Sequence, residues 1–215
     1  MPKRTKQDYE SIGKHFSKTE RSLWPEMKKY LKKVRKNDKV LDVGCGEGRL
    51  LQGIKTLNYT GIDFSPTLLK IAKKRYPKRK FLLKDITTKK GWKGLKEYDK
   101  IFCVAVIHHL TTKEEQMFVM RQIKKHLKKD GTAYISIWNL WQSKFWGEHC
   151  KSILKKIQMK NWRVVEIPFR KREEKRLYVA LGEKRLKKLV KETGLTVIEM
   201  RRTKKNVWLV IKKED

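Results

Sequence analysis

The sequence predicts an α/β fold, an open and mostly parallel sheet wound on both faces by helices. Three observations carry that expectation. Short apolar runs that suit buried strands alternate with stretches whose apolar residues recur at helical spacing. The first run, Val40-Leu41-Asp42-Val43, enters a turn with glycines at alternate positions, Gly44, Gly46 and Gly48. The next two runs end in acids, Asp63 and Asp85. In sheets of this kind ligands sit outside the carboxyl ends of the strands, so the same residues that predict the fold also predict where to look for a site.

The elements follow in order. At 215 residues the chain is long enough for one domain with a full core. Residues 1–36 read as an N-terminal helical extension and 37–215 as the main domain. Two short helices are expected over 8–16 and 24–34. Met27, Tyr30, Leu31 and Val34 recur there at helical spacing, and Trp24-Pro25 makes a sound helix start. Strand 40–43 is followed by the glycine turn and then by a helix. Strands are expected at 59–63, 81–83, 98–106 and 132–138, the last after a turn at Asp130-Gly131. Helices start at Ser65-Pro66 and run over 111–128 and 183–193, the latter closed by Gly194. Strands 195–200 and 207–211 are joined by a short basic link that suits an antiparallel pair. The count is seven strands, with the last antiparallel. Residues 139–176, with Trp141, Trp146 and Trp162 among dense Lys and Arg, read as an insert or flap over the ligand cleft.

Composition narrows the function. Lys and Arg number 56 against 23 acids, a formal charge of +33, and such an excess draws polyanions. The competing explanation is a lysine-rich genome. Lysine bias alone raises Glu as well, and acids are scarce here. Cys45, Cys103 and Cys150 show no metal-ligand spacing, and no metal site is expected. They read as small buried residues of a reducing compartment. No apolar run approaches the roughly 18 residues of a membrane span, and the N-terminus lacks an apolar signal core. A cytoplasmic protein without membrane contact is the expectation.

The strand ends carry the chemistry. Glycines at Gly44, Gly46 and Gly48 let a ligand approach the main chain. Their spacing is not the G-x-G-x-x-G of a dinucleotide site. Asp63, about twenty residues on, is placed to take two ribose hydroxyls. Asp85 offers a carboxylate to an adenine amino group, and Ile86 an apolar wall to its face. Ala105 to His109 closes the fourth strand at the reacting end. Each acid alone has a plainer explanation: Asp42 as a strand-end cap, Asp63 as a helix cap, Asp85 in a turn. Three at successive strand ends, in register with a glycine turn, form a pattern that chance does not readily assemble.

Asp42 followed by Gly-Cys-Gly-Glu-Gly resembles motif I of class I S-adenosylmethionine (SAM) methyltransferases. That implies a Rossmann-like class I methyltransferase fold, with SAM as cofactor. It also implies a cofactor site of Asp42, Gly44, Cys45, Gly46, Gly48, Asp63, Phe64, Asp85, Ile86, Ala105, Val106 and His108. More narrowly, Leu41-Asp42-Val43 with the glycine turn and Ala105-Val106-Ile107-His108-His109-Leu110 resemble the tRNA methyltransferases that esterify carboxymethyluridine at the wobble position. Tyr9, Phe16, Thr19, Trp24-Pro25, Ile167-Pro168-Phe169, Arg176, Tyr178, Glu183 and Asn206-Val207-Trp208 fall on further segments of that family. Val179 stands where the family has His, Leu177 where it has Tyr, and Arg185 where it has the second Glu of a helix. Thr19-Glu20-Arg21 replaces a Thr-Arg pair.

The resemblance implies a tRNA substrate and, as in eukaryotic members, a possible small activator subunit. It puts His109, Arg21 and Tyr178 at the catalytic centre. A carboxylate acceptor is already ionised at neutral pH and needs no base. His109 would then position the acceptor, with Arg21, Arg170 and Arg176 as candidate cations near the carboxylate. The plainer readings are a His pair that closes the pocket and caps the next helix, arginines on a solvated surface, and tryptophans that fasten the flap to the core. The alternative functions are a methyltransferase of small molecules or proteins, and a non-catalytic RNA-binding protein with this fold. The stretch from Trp138 to Arg176 is the expected RNA contact, lysines to phosphates and rings to splayed bases.

Overall fold

The computed structural model describes residues 22–148, 150, 164–168 and 175–214. The expected helix over 8–16, the basic tail, and Arg21, Trp162, Phe169 and Arg170 lie outside the described residues. Nine strands are described: β1 (Val40–Val43), β2 (Tyr59–Asp63), β3 (Lys80–Leu83), β4 (Tyr98–Val104), β5 (Leu127–Trp138), β6 (Val164–Pro168), β7 (Lys175–Val179), β8 (Leu195–Arg202) and β9 (Asn206–Lys213). Helix α1 (Pro25–Leu31) precedes them, and α2 (Pro66–Arg75), α3 (Lys89–Trp92), α4 (Lys113–His126) and α5 (Glu183–Lys191) lie between them; residues 146–148 and 150 are also helical.

The main sheet has seven strands in the order β3-β2-β1-β4-β5-β9-β8. Strands β1 to β5 are parallel, and β9 runs antiparallel to both β5 and β8. The chain order reverses between β1 and β4, the place where sheets of this topology open a crevice. The expected seven-stranded sheet with one antiparallel strand, the last, is what the chain forms.

Both faces are covered, which is why the strands read as nearly continuous apolar runs. On one face Leu41, Ile101, Cys103, Ile135 and Leu209 pack with Val119, Met120 and Ile123 of α4 and Leu186, Leu189 and Val190 of α5. On the other, Val40, Tyr59, Phe102, Tyr134 and Trp208 pack with Met27, Tyr30 and Leu31 of α1 and Leu69 and Ala72 of α2. An aromatic column holds α1 down. Tyr30 lies 5.0 Å from Trp208 and 5.5 Å from Tyr134, and Tyr134 stacks on Phe102 at 4.8 Å. The Tyr30 hydroxyl and the Lys29 ammonium both donate to Glu199 of β8, at 3.1 and 2.7 Å.

Several expectations need correction. No α-helix follows the glycine turn; the chain makes one 3₁₀ turn, Arg49–Gln52. The turn ends at Gly53, where Leu31 of α1 packs so close that a Cβ would come within 2.7 Å of it. The expected turn at Asp130-Gly131 lies within β5, which starts at Leu127. Tyr98 pairs with Leu127 but Lys100 with Thr132, so the extra residues form an irregularity inside the strand. The single turn of α3, capped by the Thr88 hydroxyl, has too few residues to show a period. Finally, the region expected to be a flap contains a two-stranded antiparallel ribbon, β6 with β7. The ribbon has its own small core of Leu140, Val165, Ile167, Tyr178 and Ala180.

Trp208 is fully buried at the centre of the aromatic column. Trp208→Ala should cost about 3–5 kcal/mol of stability, seen as a lower urea midpoint with the far-ultraviolet spectrum retained.

Candidate active site

The site is built outward from the glycine turn. The backbone N–H groups of Gly44 and Cys45 both donate to the Ile62 carbonyl, at 2.8 and 3.1 Å, so the turn stays locked to β2. Gly44 has φ +72°, and a Cβ there would lie 2.4 Å from Cγ2 of Val106. Any side chain would therefore meet both backbone strain and a collision. Cys45 is buried, and a Cβ on Gly61 would come within 2.8 Å of its sulfur. Burial, with the charges of Asp63 and Asp42, pushes its thiol pKa well up. It fills space as a neutral thiol.

Asp63 joins the turn to the end of β2. One carboxylate oxygen accepts from the Gly46 N–H at 2.8 Å and the other from the Ser65 N–H at 2.9 Å. The Ser65 hydroxyl in turn caps α2 through the Leu68 N–H. At the other end of α2, Arg75 reaches back to the buried Glu47 at 3.1 Å. The helix thus holds the turn from both of its ends.

Asp42 is buried at the floor of the cleft and accepts a 2.7 Å hydrogen bond from the Tyr59 hydroxyl. Burial pushes its pKa up to about 7. The Tyr59 bond and Arg49 oppose that shift, and the charge of Asp63 adds to it. Asp42 therefore changes charge near neutral pH.

The cleft opens over these residues. Its lining includes Gly44, Cys45, Gly46, Asp63, Phe64, Ile86, Ala105, Val106 and His109; in the strand order Ile86 lies on the β2 side of the turn and Ala105 to His109 on the β4 side. Ala105 ends β4 with φ +58°, where alanine carries strain of roughly 1 kcal/mol or more. Its N–H is held by both the backbone carbonyl and the hydroxyl of Ser136, at 2.9 and 3.2 Å. Ile86 is fixed through its carbonyl, which accepts from the Trp92 indole at 2.8 Å.

The remaining expected residues fall into three groups. Asp85, Gly48, His108 and Tyr178 do not line the cleft. The Asp85 carboxylate accepts from the N–H and the hydroxyl of Thr87, at 3.0 and 2.7 Å, and so shapes the turn after β3. His108 and Tyr178 stand behind the wall in an aromatic group. Tyr178 lies 4.7 Å from His109, 5.4 Å from His108 and 4.9 Å from Trp138. The Trp138 N–H donates to Nδ1 of His108 at 3.3 Å, so that nitrogen is the acceptor of the ring. Arg21 lies outside the described residues, and Arg176 is described only as backbone opposite Ile167 in the ribbon.

Some wall residues carried no signal in the sequence. Trp24 and Met27 close one end of the cleft, and the Arg49 guanidinium lies 5.2 Å above the Trp24 ring. Leu68, Lys84 and Glu47 also reach the wall. Trp24-Pro25 marked a helix start but not its orientation, which depends on the docking of α1. Among the described residues no group of three or more His, Cys, Asp or Glu is placed to hold a metal. No described helix is long and apolar enough to cross a membrane.

A family model described as a methyltransferase domain matches residues 16–200. The chain belongs to that methyltransferase family. Among its curated relatives is the tRNA (carboxymethyluridine(34)-5-O)-methyltransferase alkbh8 of Xenopus tropicalis. The two are 33% identical over 134 residues, 62% of this chain but only 21% of that protein. Among solved structures, a SAM-dependent methyltransferase of Methanosarcina mazei superposes with a TM-score of 0.73 at 16% identity, covering 90% of this chain and 99% of that one. A Haloferax volcanii methyltransferase, solved in complex with the Trm112 methyltransferase activator, gives 0.71 at 14% identity, with 98% of each chain covered. At such identities the structures show the methyltransferase fold alone.

The raised pKa of Asp42 has a measurable consequence. The folded protein holds a proton that the unfolded chain releases above its ordinary value of 3.8. That contribution to stability is present at low pH and is lost as pH rises to about 7. Asp42→Asn should flatten this fall, measured as the urea midpoint at a series of pH values from about 4 to 8.

Proposed function

We propose that this protein uses SAM to methylate RNA, and that its acceptor is a carboxymethyl group on the wobble uridine of tRNA. One observation carries the reading. The cleft at the topological reversal combines a side-chain-free turn, buried acids and an apolar wall, and it ends at His109 beside an aromatic group. An adenosyl sulfonium fits that donor set. Its positive charge suits the carboxylates of Asp42, Glu47 and Asp63, its ribose diol suits Asp63, and its adenine face suits Ile86. The 33% identity to a relative named for carboxymethyluridine methylation, and a net charge of +33, support tRNA as the substrate.

When bound, SAM supplies a methyl carbon already activated by a sulfonium; a carboxylate oxygen forms the new C–O bond as the S–C bond breaks. The chain's own part is placement and exclusion of water. Gly44 and Gly46 admit the donor against the backbone, and Asp63 fixes its rotation. Asp42, once ionised, favours a cation in the cleft. His109, backed by Tyr178 and Trp138, presents a stiff wall at the acceptor end and holds the incoming carboxylate in line. No residue has to remove a proton, because the acceptor is already an anion. The activator-bound Haloferax neighbour supports a small activator subunit as partner.

The deciding experiment incubates the protein, alone and with a candidate activator, with methyl-labelled SAM and total tRNA and maps the labelled nucleoside. Label that mild base releases from a wobble uridine is the expected result. Base-stable label, or label on small molecules or protein only, would assign another acceptor. Asp63→Ala should weaken SAM binding by about 100-fold, the loss of two hydrogen bonds to a charged group. Calorimetry measures this, with a melting curve to check the fold. His109→Asn should slow transfer about 10- to 100-fold while leaving the pH profile unchanged, because the residue positions and does not titrate in the reaction.

A further inference from the structure

We propose that the tip of the β8–β9 hairpin, together with Trp141, is the seat of the single-stranded RNA that flanks the methylated nucleotide. The inference rests on the RNA substrate proposed above. Topology places the hairpin. Because β9 runs antiparallel to β5, its first residue, Asn206, pairs with Trp138, the last residue of β5. Trp138 is part of the cleft wall. The tip of the hairpin is therefore delivered to the same rim of the sheet as the reacting end of the cleft, a few residues from it.

The tip is stiff. The Asn139 N–H donates to the Lys205 carbonyl at 2.9 Å, and the Asn139 amide to the Thr203 carbonyl at 3.2 Å. Thr203 closes the turn on Asn206 through its own N–H at 2.7 Å, and its hydroxyl accepts from the Asn206 N–H at 3.0 Å. This rigid turn presents Arg201, Arg202, Lys204 and Lys205, all exposed. Arg201 and Arg202 are neighbours on β8 and so point to opposite faces of it, while Lys204 and Lys205 lie in the turn itself. Arg202 reaches the Trp141 carbonyl at 3.5 Å, and Glu183 lies 4.0 Å from its guanidinium.

Beside this cationic tip stands Trp141, whose carbonyl Arg202 reaches. It is 41% exposed, whereas Trp92 and Trp208 are buried. Cations next to a part-exposed indole suit a single strand, with phosphates on the cations and an unstacked base against the ring edge or face that solvent reaches. A regular duplex keeps its bases stacked and would leave the ring unused.

The test compares the unaltered protein with Lys204→Ala/Lys205→Ala and with Trp141→Ala, measuring tRNA binding across a salt series and SAM binding in parallel. The lysine pair should weaken tRNA binding about tenfold near 0.1 M salt and lower the slope of log K against log salt by about 1.4. Trp141→Ala should weaken it about 5- to 150-fold with the salt slope unchanged. SAM affinity should not move in either variant, which shows that the fold is intact. Lys204→Arg/Lys205→Arg should restore the slope. Unchanged tRNA affinity and slope in the lysine variant would overturn the hairpin assignment alone. Absence of salt-sensitive tRNA binding by the unaltered protein would overturn the substrate reading, and the hairpin assignment with it.

Discussion

The carboxylate of Asp63 is the tie on which the site depends. It accepts one N–H from the turn after β1 and another from the start of α2. These are charge-assisted bonds in a buried setting, roughly twice as strong as neutral ones. They hold two neighbouring strand ends at a fixed separation, and the cleft is the space that remains. The left-handed backbone at Gly44 then brings Val106, at the end of β4, against the turn from the other side. Three strand ends become one wall because a single acid and a missing side chain set the distances between them.

Charge is arranged in two layers. The chain as a whole is strongly cationic, with a formal net charge of +33. Its few acids include Asp42, Glu47 and Asp63, all buried at the cleft. Outside, the field favours a polyanion. Inside, the cleft favours a cation, and Asp42 titrates where that preference can be felt. Under the proposed function this separation is required, since a uniformly basic cleft would repel a cationic donor.

The sheet was legible in the sequence because its strands are covered on both faces and so leave runs such as Ile101–Val104 that no surface helix would show. The glycine turn and Asp63 were legible for a different reason: each needs a residue type that few other settings demand. What failed to show depends on contacts distant in the chain. The 3₁₀ turn stands where a helix was expected, and it ends at Gly53 against Leu31, a residue of another element. Asp85 carries the expected residue type, but one of its carboxylate oxygens is bonded to Thr87, and it is its neighbour Ile86 that lines the cleft. Trp24 and Met27 reach the wall through the docking of α1 on Trp208 and Tyr134. The ribbon of β6 and β7 was hidden within a stretch whose charge and aromatic content masked its alternation.

The aromatic group of His108, Trp138 and Tyr178 joins two constructions of different origin in the chain. The donor half of the cleft comes from the tips of β1, β2 and β4. The backing of the acceptor half comes from a ribbon with a core of its own. The two meet through ring faces. Such a joint tolerates exchange: a ribbon of different length or sequence can be seated on the same rings without disturbing the strand tips. Acceptor choice in this architecture can therefore diverge while the donor machinery stays unchanged, and a single scaffold can be recruited to new acceptors by altering one excursion of the chain.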